Sequence, residues 1–89
     1  MPRVVITHGV EDVERWLEGK QERVEALSTM GGVNVVDHVA HDGSSRVAIT
    51  CEVDNVETVM ATVASPPAEM AAAMQRHGVV PPLTVYVER

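Results

Sequence analysis

Four histidines are the residues of this chain best suited to chemistry: His8, His38, His41 and His77. Imidazole titrates near neutral pH, so each could move a proton or hold a metal ion. A shared metal is not what the spacing favours. His38 and His41 fall on opposite faces of a regular strand, and one ion would bind both only if the strand bent. Cys51 is the only cysteine, and a closed zinc site needs companion ligands. We therefore expect neither metal nor cofactor. His8 and His38 remain as candidate general bases. Trp16, His77 and Tyr86 are the candidate ligand contacts, with Trp16 as a pocket wall.

Each of these residues also has a purely structural reading. His8 stands at a strand end, where a hydrogen-bonded structural imidazole is common. Trp16 lies on an apolar helical stripe and could simply fill the core. His77 closes a helix, where the helix dipole favours a cation. Cys51 reads as inert core, and Met60, Met70 and Met74 read as gap-filling core. Asp37 and Asp42 flank the histidines and read as solvated carboxylates around a turn.

The elements that must position these side chains follow from the residue pattern. Residues 3–8 are short and β-branched, which predicts a strand ended by Gly9. Asp12 stands where an N-cap belongs. Val13, Trp16, Leu17, Lys20, Val24, Leu27 and Met30 then recur at helical spacing, with Glu14, Glu18, Glu22 and Glu25 opposite. Gly19 interrupts this helix, as a close approach or a soft spot, and Gly31-Gly32 ends it. Residues 33–40 form a second strand, and Asp42-Gly43 marks a hairpin turn. In the third strand, residues 46–53, Val47, Ile49, Cys51 and Val53 share one face. Asp54 or Asn55 caps a second helix, which Ser65-Pro66-Pro67 interrupts and Gly78 ends. Pro81-Pro82 leads into a last strand, Leu83–Val87.

The order βαββαβ predicts an α+β fold of the ferredoxin-like kind. Two interleaved crossovers give a four-stranded antiparallel sheet with two helices on one face. In that topology all four histidines gather towards one end of the domain. Asp12 and Trp16 enter there on the first helix, so a cleft between helices and sheet would be the default site. The other sheet face keeps apolar side chains and predicts a partner, with a homodimer packed sheet on sheet as the natural arrangement.

Composition narrows the function classes. The chain has 89 residues, which is one domain with a modest core. Association is the remaining source of stability, because a lone cysteine forms no internal disulfide. The formal charge of −6 opposes binding to nucleic acid or to an anionic membrane. Trp16 and Tyr86 are the only aromatics, too few for a base-stacking platform. The lone cysteine, the lack of a visible signal peptide and the lack of an apolar run of about 18–20 residues fit a cytoplasmic protein.

Two stretches resemble a known group. His8-Gly9-Val10-Glu11-Asp12-Val13-Glu14-Arg15-Trp16 is similar to the opening of small dimeric α/β-barrel proteins of the cyclase-like and antibiotic-biosynthesis-monooxygenase-like kind. Ser65-Pro66, Met70, Met74, Gly78-Val79, Pro81-Pro82 and Tyr86-Val87-Glu88 resemble that group's closing segment. The resemblance implies a dimeric α/β barrel and leaves the activity open, since the wider group holds monooxygenases, isomerases, cyclases and proteins of no known activity. The absence of Phe departs from it and leaves fewer aromatic walls for a flat substrate.

Two function classes follow. One is a cofactor-free enzyme in which His8 or His38 is an enolising base and Trp16 lines a dry pocket. It would cyclise, rearrange or oxygenate a small cyclic or aromatic metabolite. The other is a non-catalytic small-molecule-binding or assembly module.

Overall fold

Local signals start and stop the elements where the residue types require. The computed structural model describes residues 1–89. Their order is β1 (Arg3–Val10), α1 (Val13–Glu18), α2 (Lys20–Thr29), β2 (Val33–Val39), β3 (Arg46–Glu52), α3 (Val56–Ala64), α4 (Ala68–Arg76) and β4 (Val79–Val87). Asp12 caps α1, its carboxylate accepting from the backbone N–H of Glu14 and of Arg15. Asn55, not Asp54, caps α3 through Thr58 N–H.

The four strands form one antiparallel sheet in the order β2-β3-β1-β4. This is the ferredoxin-like α+β arrangement the sequence predicts, with each expected helix divided in two. Gly19 separates α1 from α2, and Ser65-Pro66-Pro67 separates α3 from α4. A Cβ on Gly19 would lie 2.5 Å from the His77 ring, so the glycine is where α4's end meets the first helical pair. Gly78, at φ +72°, closes α4 in the left-handed conformation that glycine adopts at no steric cost.

Two strand boundaries differ from the sequence expectation. β1 continues through Gly9 to Val10, because Gly9 still pairs with Arg46 and Val80. β4 begins at Val79 and runs through Pro81-Pro82. As an edge strand it tolerates residues without an N–H. Its pairing with β1 slips between Thr7 and Gly9, directly beside His8. A bulge of this sort re-aims nearby side chains.

The helix-facing side of the sheet carries the core. Val4 and Ile6 of β1, with Val47, Ile49 and Cys51 of β3, pack against Trp16, Leu27 and Val59. Burying a side chain such as Ile49 contributes about 1.5–3 kcal/mol. Cys51 is buried, as expected for core, and burial pushes its thiol pKa up. Met60 departs from the core reading and is 45% exposed. The opposite side of the sheet is uncovered. There Val36, Thr50, Val5 and Tyr86 form one cross-strand row, and His38, Ala48, Thr7 and Thr84 form the next.

Candidate functional site

Between the helices and the sheet lies an apolar cavity of about 100 Å³. His8 and Ile6 form its floor from β1, Trp16 one wall, and Met70 and Met74 of α4 its roof. Glu22 and His77 also line it, and Glu22, half exposed, marks where it meets solvent.

His8 alternates with Val4 and Ile6 and so faces the helices. It is 2% exposed. Its Nδ1 lies 2.8 Å from the Gly9 carbonyl oxygen. A carbonyl only accepts, so Nδ1 carries the proton and donates. The neutral ring then keeps its lone pair on Nε2, which has no partner within the protein. Burial is the largest influence on this ring and pushes its pKa down from 6.5, with Arg23 and Arg46 adding to the effect. The result is a base held neutral, in a fixed tautomer, against an apolar cavity.

Trp16 is fully buried. It meets His8 edge to face, the ring centroids 5.9 Å apart and the planes at 75°. Its Nε1–H is buried and has no hydrogen-bond acceptor. A donor left in that state costs about 1–3 kcal/mol. Hence Trp16 fills the core and lines the cavity at the same time, and its polar atom is unspent.

Arg23 of α2 was not visible to sequence reasoning as a site residue. It is buried, and its guanidinium sits over the indole of Trp16 with Cζ 3.9 Å from the ring centroid. Nη1 donates to the Trp16 carbonyl oxygen at 3.1 Å. Nε and Nη2 fork onto Asp37 at 3.2 and 2.8 Å. Lys20 Nζ lies 3.6 Å from the same carboxylate. This corrects the reading of Asp37 as solvated: its side chain is only 6% exposed. Two signals pointed this way. Asp37 pairs with Ile49 and so shares its helix-facing side, and Arg23 stands two helical turns beyond Trp16. Asp42 does stay exposed, accepting from Ser44 N–H.

The histidines gather less than the sequence suggests. His38 pairs with Ala48 and is exposed on the uncovered face, away from His8. Strand alternation decides this, since Asp37 takes the inward position beside it. His41 is exposed in the turn. Tyr86 is 58% exposed on the uncovered face, where it borders a shallow hollow with His38, Thr7 and Arg46 rather than the Trp16 cavity. His77 does reach the cavity, and its Nε2 lies 3.7 Å from a Glu22 carboxylate oxygen. Arg76 bonds the other Glu22 oxygen at 2.6 Å and holds that carboxyl pKa below the usual range. No three His, Cys, Asp or Glu side chains come close enough together to hold a metal ion.

No family model and no curated protein matches the chain. Solved structures do. A presumed antibiotic biosynthesis monooxygenase from Bordetella bronchiseptica superposes with a TM-score of 0.73 at 13% identity, covering 99% of this chain and 94% of its own. The protein has the fold of the antibiotic-biosynthesis-monooxygenase-like structures. Another antibiotic biosynthesis monooxygenase matches with a TM-score of 0.65 at 12% identity, over 100% of this chain and 97% of its own. A conserved protein from Methanosarcina mazei, whose name carries no activity, matches at 0.64 and 12% identity, over 99% and 90%. At such identities the likeness to the monooxygenase-like structures is one of fold. No helix is long and apolar enough to cross a membrane.

Proposed function

We propose that the protein is a small cofactor-free enzyme of the monooxygenase-like or cyclase-like kind, acting on a small cyclic or aromatic metabolite in the cavity beside Trp16. The observation that carries this reading is His8: a buried, neutral imidazole with Nδ1 fixed on Gly9 and Nε2 unpartnered. Nε2 would take a proton from an activated carbon or hydroxyl of the substrate. The resulting carbanion or enolate is electron-rich enough to react with dioxygen. Conversion of a ring CH2 to a carbonyl by O2 releases one water, so the substrate supplies the electrons and no redox cofactor is required. The apolar lining keeps bulk water from quenching the anion.

The homodimer belongs to the same reading. The uncovered sheet face exposes Val33, Val36 and Tyr86, and a second copy packed on that face would bury them. His38 and Tyr86 then belong to the dimer surface instead of the cavity.

The test is oxygen uptake by the purified protein with small hydroxyaromatic and cyclic 1,3-dicarbonyl compounds, without added metal or cofactor. Turnover that His8→Ala abolishes supports the enzyme. Saturable binding without turnover leaves a small-molecule-binding module. One feature favours that second reading: His8 has no side-chain hydrogen-bond partner with which to form a catalytic dyad, since its ring bonds only the Gly9 carbonyl and the Asp37 carboxylate is taken by Arg23.

A further inference from the structure

The uncovered face of the sheet holds an open hollow of about 370 Å³, on the opposite side of the sheet from the cavity beside Trp16. Strand register builds it. Ala48 of β3 sits between His38 of β2 and Thr7 of β1 and gives the hollow a low floor. Arg46 stands two residues before Ala48 and so shares its face, opposite Gly9, which has no side chain. Tyr86 of β4 stands one row further along, opposite Val5, and borders the hollow from its other end. Four strands thus bring a cation, an imidazole and two hydroxyls around a floor of small residues.

These polar groups are unspent. The side chains of Thr7, His38, Arg46 and Tyr86 make no hydrogen bond within the chain. Arg15, Lys20, Arg23 and Arg76 each meet a carboxylate of their own chain, and Arg46 meets none. No Asp or Glu lines the hollow. Acids outnumber Lys and Arg by 13 to 7 in this chain, yet here the one full charge is positive and uncompensated.

We propose that this hollow binds a small organic carboxylate with a flat apolar body. The Arg46 guanidinium forks onto the carboxylate. His38 and Thr7 offer N–H and O–H donors to its remaining lone pairs. The apolar body lies on Ala48 and against the Tyr86 ring. Size allows it, since the hollow exceeds the ~150 Å³ of a cavity that takes up benzene. A second copy stacked on this face would roof the hollow without filling it. Stacked sheets lie about 10 Å apart, and Ala48 and Thr7 are too short to span half that gap. The assignment goes beyond the proposed function, since it uses neither the cavity beside Trp16 nor any turnover.

The test is titration of the native protein with benzoate, benzyl alcohol and acetate, followed by NMR. Tyr86 is the only tyrosine and Trp16 the only tryptophan, so one ring reports on the hollow and the other on the cavity. Benzoate should shift the Tyr86 ring and Arg46 Nε–H signals and leave the Trp16 indole signal in place. Benzyl alcohol keeps the ring without the charge, and acetate keeps the charge without the ring. Each should bind about tenfold or more weaker than benzoate. Arg46→Gln should cost benzoate a similar factor. Arg46→Lys, which keeps the charge without the fork, should cost less. Arg46 is exposed, so both variants should keep the fold; if they do not, the native titration decides alone. Tyr86 signals unmoved up to the solubility limit, equal binding of the three compounds, a shift confined to Trp16, or unchanged benzoate binding by Arg46→Gln overturns the assignment. So does a native dimer that benzoate drives apart in sedimentation, because the second copy would then fill the hollow. Tyr86 shifts without oxygen uptake on any substrate keep the hollow and remove the enzyme. Oxygen uptake with unmoved Tyr86 signals does the reverse.

Discussion

The guanidinium of Arg23 lies over the indole of Trp16, 3.9 Å from its centroid, and is held there by a fork onto Asp37. The pair ties α2 to β2 and fixes one face of the cavity's aromatic wall. Both side chains are less than a tenth exposed, so removing one partner leaves a buried charge. Asp37→Asn should destabilise the fold by about 3 kcal/mol. The double change Arg23→Met with Asp37→Leu should recover most of that loss, because it leaves no unpaired charge. Urea unfolding of the three proteins measures both. A cost below about 1 kcal/mol for Asp37→Asn would place the pair with surface ion pairs.

Stability should depend on pH through His8. Its folded pKa lies below 6.5 because burial disfavours the charged ring. As pH falls through 6.5 the unfolded chain takes up this proton first, so the native state loses stability. The loss continues until pH passes the lowered folded pKa and then levels off. Above 6.5 the group contributes no slope. His8→Gln should flatten the urea midpoint against pH in this window, and an unchanged slope would contradict the assignment.

The same shift predicts the acid limb of any activity. Nε2 stays free to accept a proton well into mildly acidic solution, since the folded pKa is depressed. A rate that falls off below pH 6.5, and not around it, is the expected profile. His8→Ala should remove the turnover itself, by about a hundredfold or more, the usual range for a general base.

Gly19 and His77 are coupled by space. A Cβ at Gly19 would meet the His77 ring at 2.5 Å. Gly19→Ala should therefore turn His77 away from Glu22 and from the cavity, seen as a change in the His77 ring resonances. With His77→Ala added, the clash is gone and the helix propensity of alanine should stabilise by up to about 1 kcal/mol. Thermal unfolding of the single and double variants separates the two effects.

The uncovered sheet face predicts an association that a single charge should break. Val36 is 49% exposed at the β2 end of the row with Thr50, Val5 and Tyr86. Val36→Glu would bury an unpaired carboxylate between two sheets. Sedimentation should show a homodimer for the native chain and a monomer for the variant. A native monomer at micromolar concentration would remove the dimer.

Element types and their order were determined by the sequence, because periodicity and caps act locally. The stripe from Val13 to Met30, Asp12 as cap, and the alternation of Val47, Ile49 and Cys51 are each set by neighbours a few residues away. That pattern was enough for the ferredoxin-like fold and for placing His8 and Trp16 close together. It could not say which face of β2 turned inward. His38 and Asp37 are adjacent and both polar, and only packing against α2 chose Asp37, because Arg23 waited there to pair with it. Nor could it show that Trp16 keeps an unpartnered N–H, or that His8 spends Nδ1 on Gly9 and leaves Nε2 free. Those facts depend on which groups converge within hydrogen-bond reach from elements distant in the chain. Tertiary structure alone decides them, since a hydrogen bond is fixed by position and direction and not by residue type.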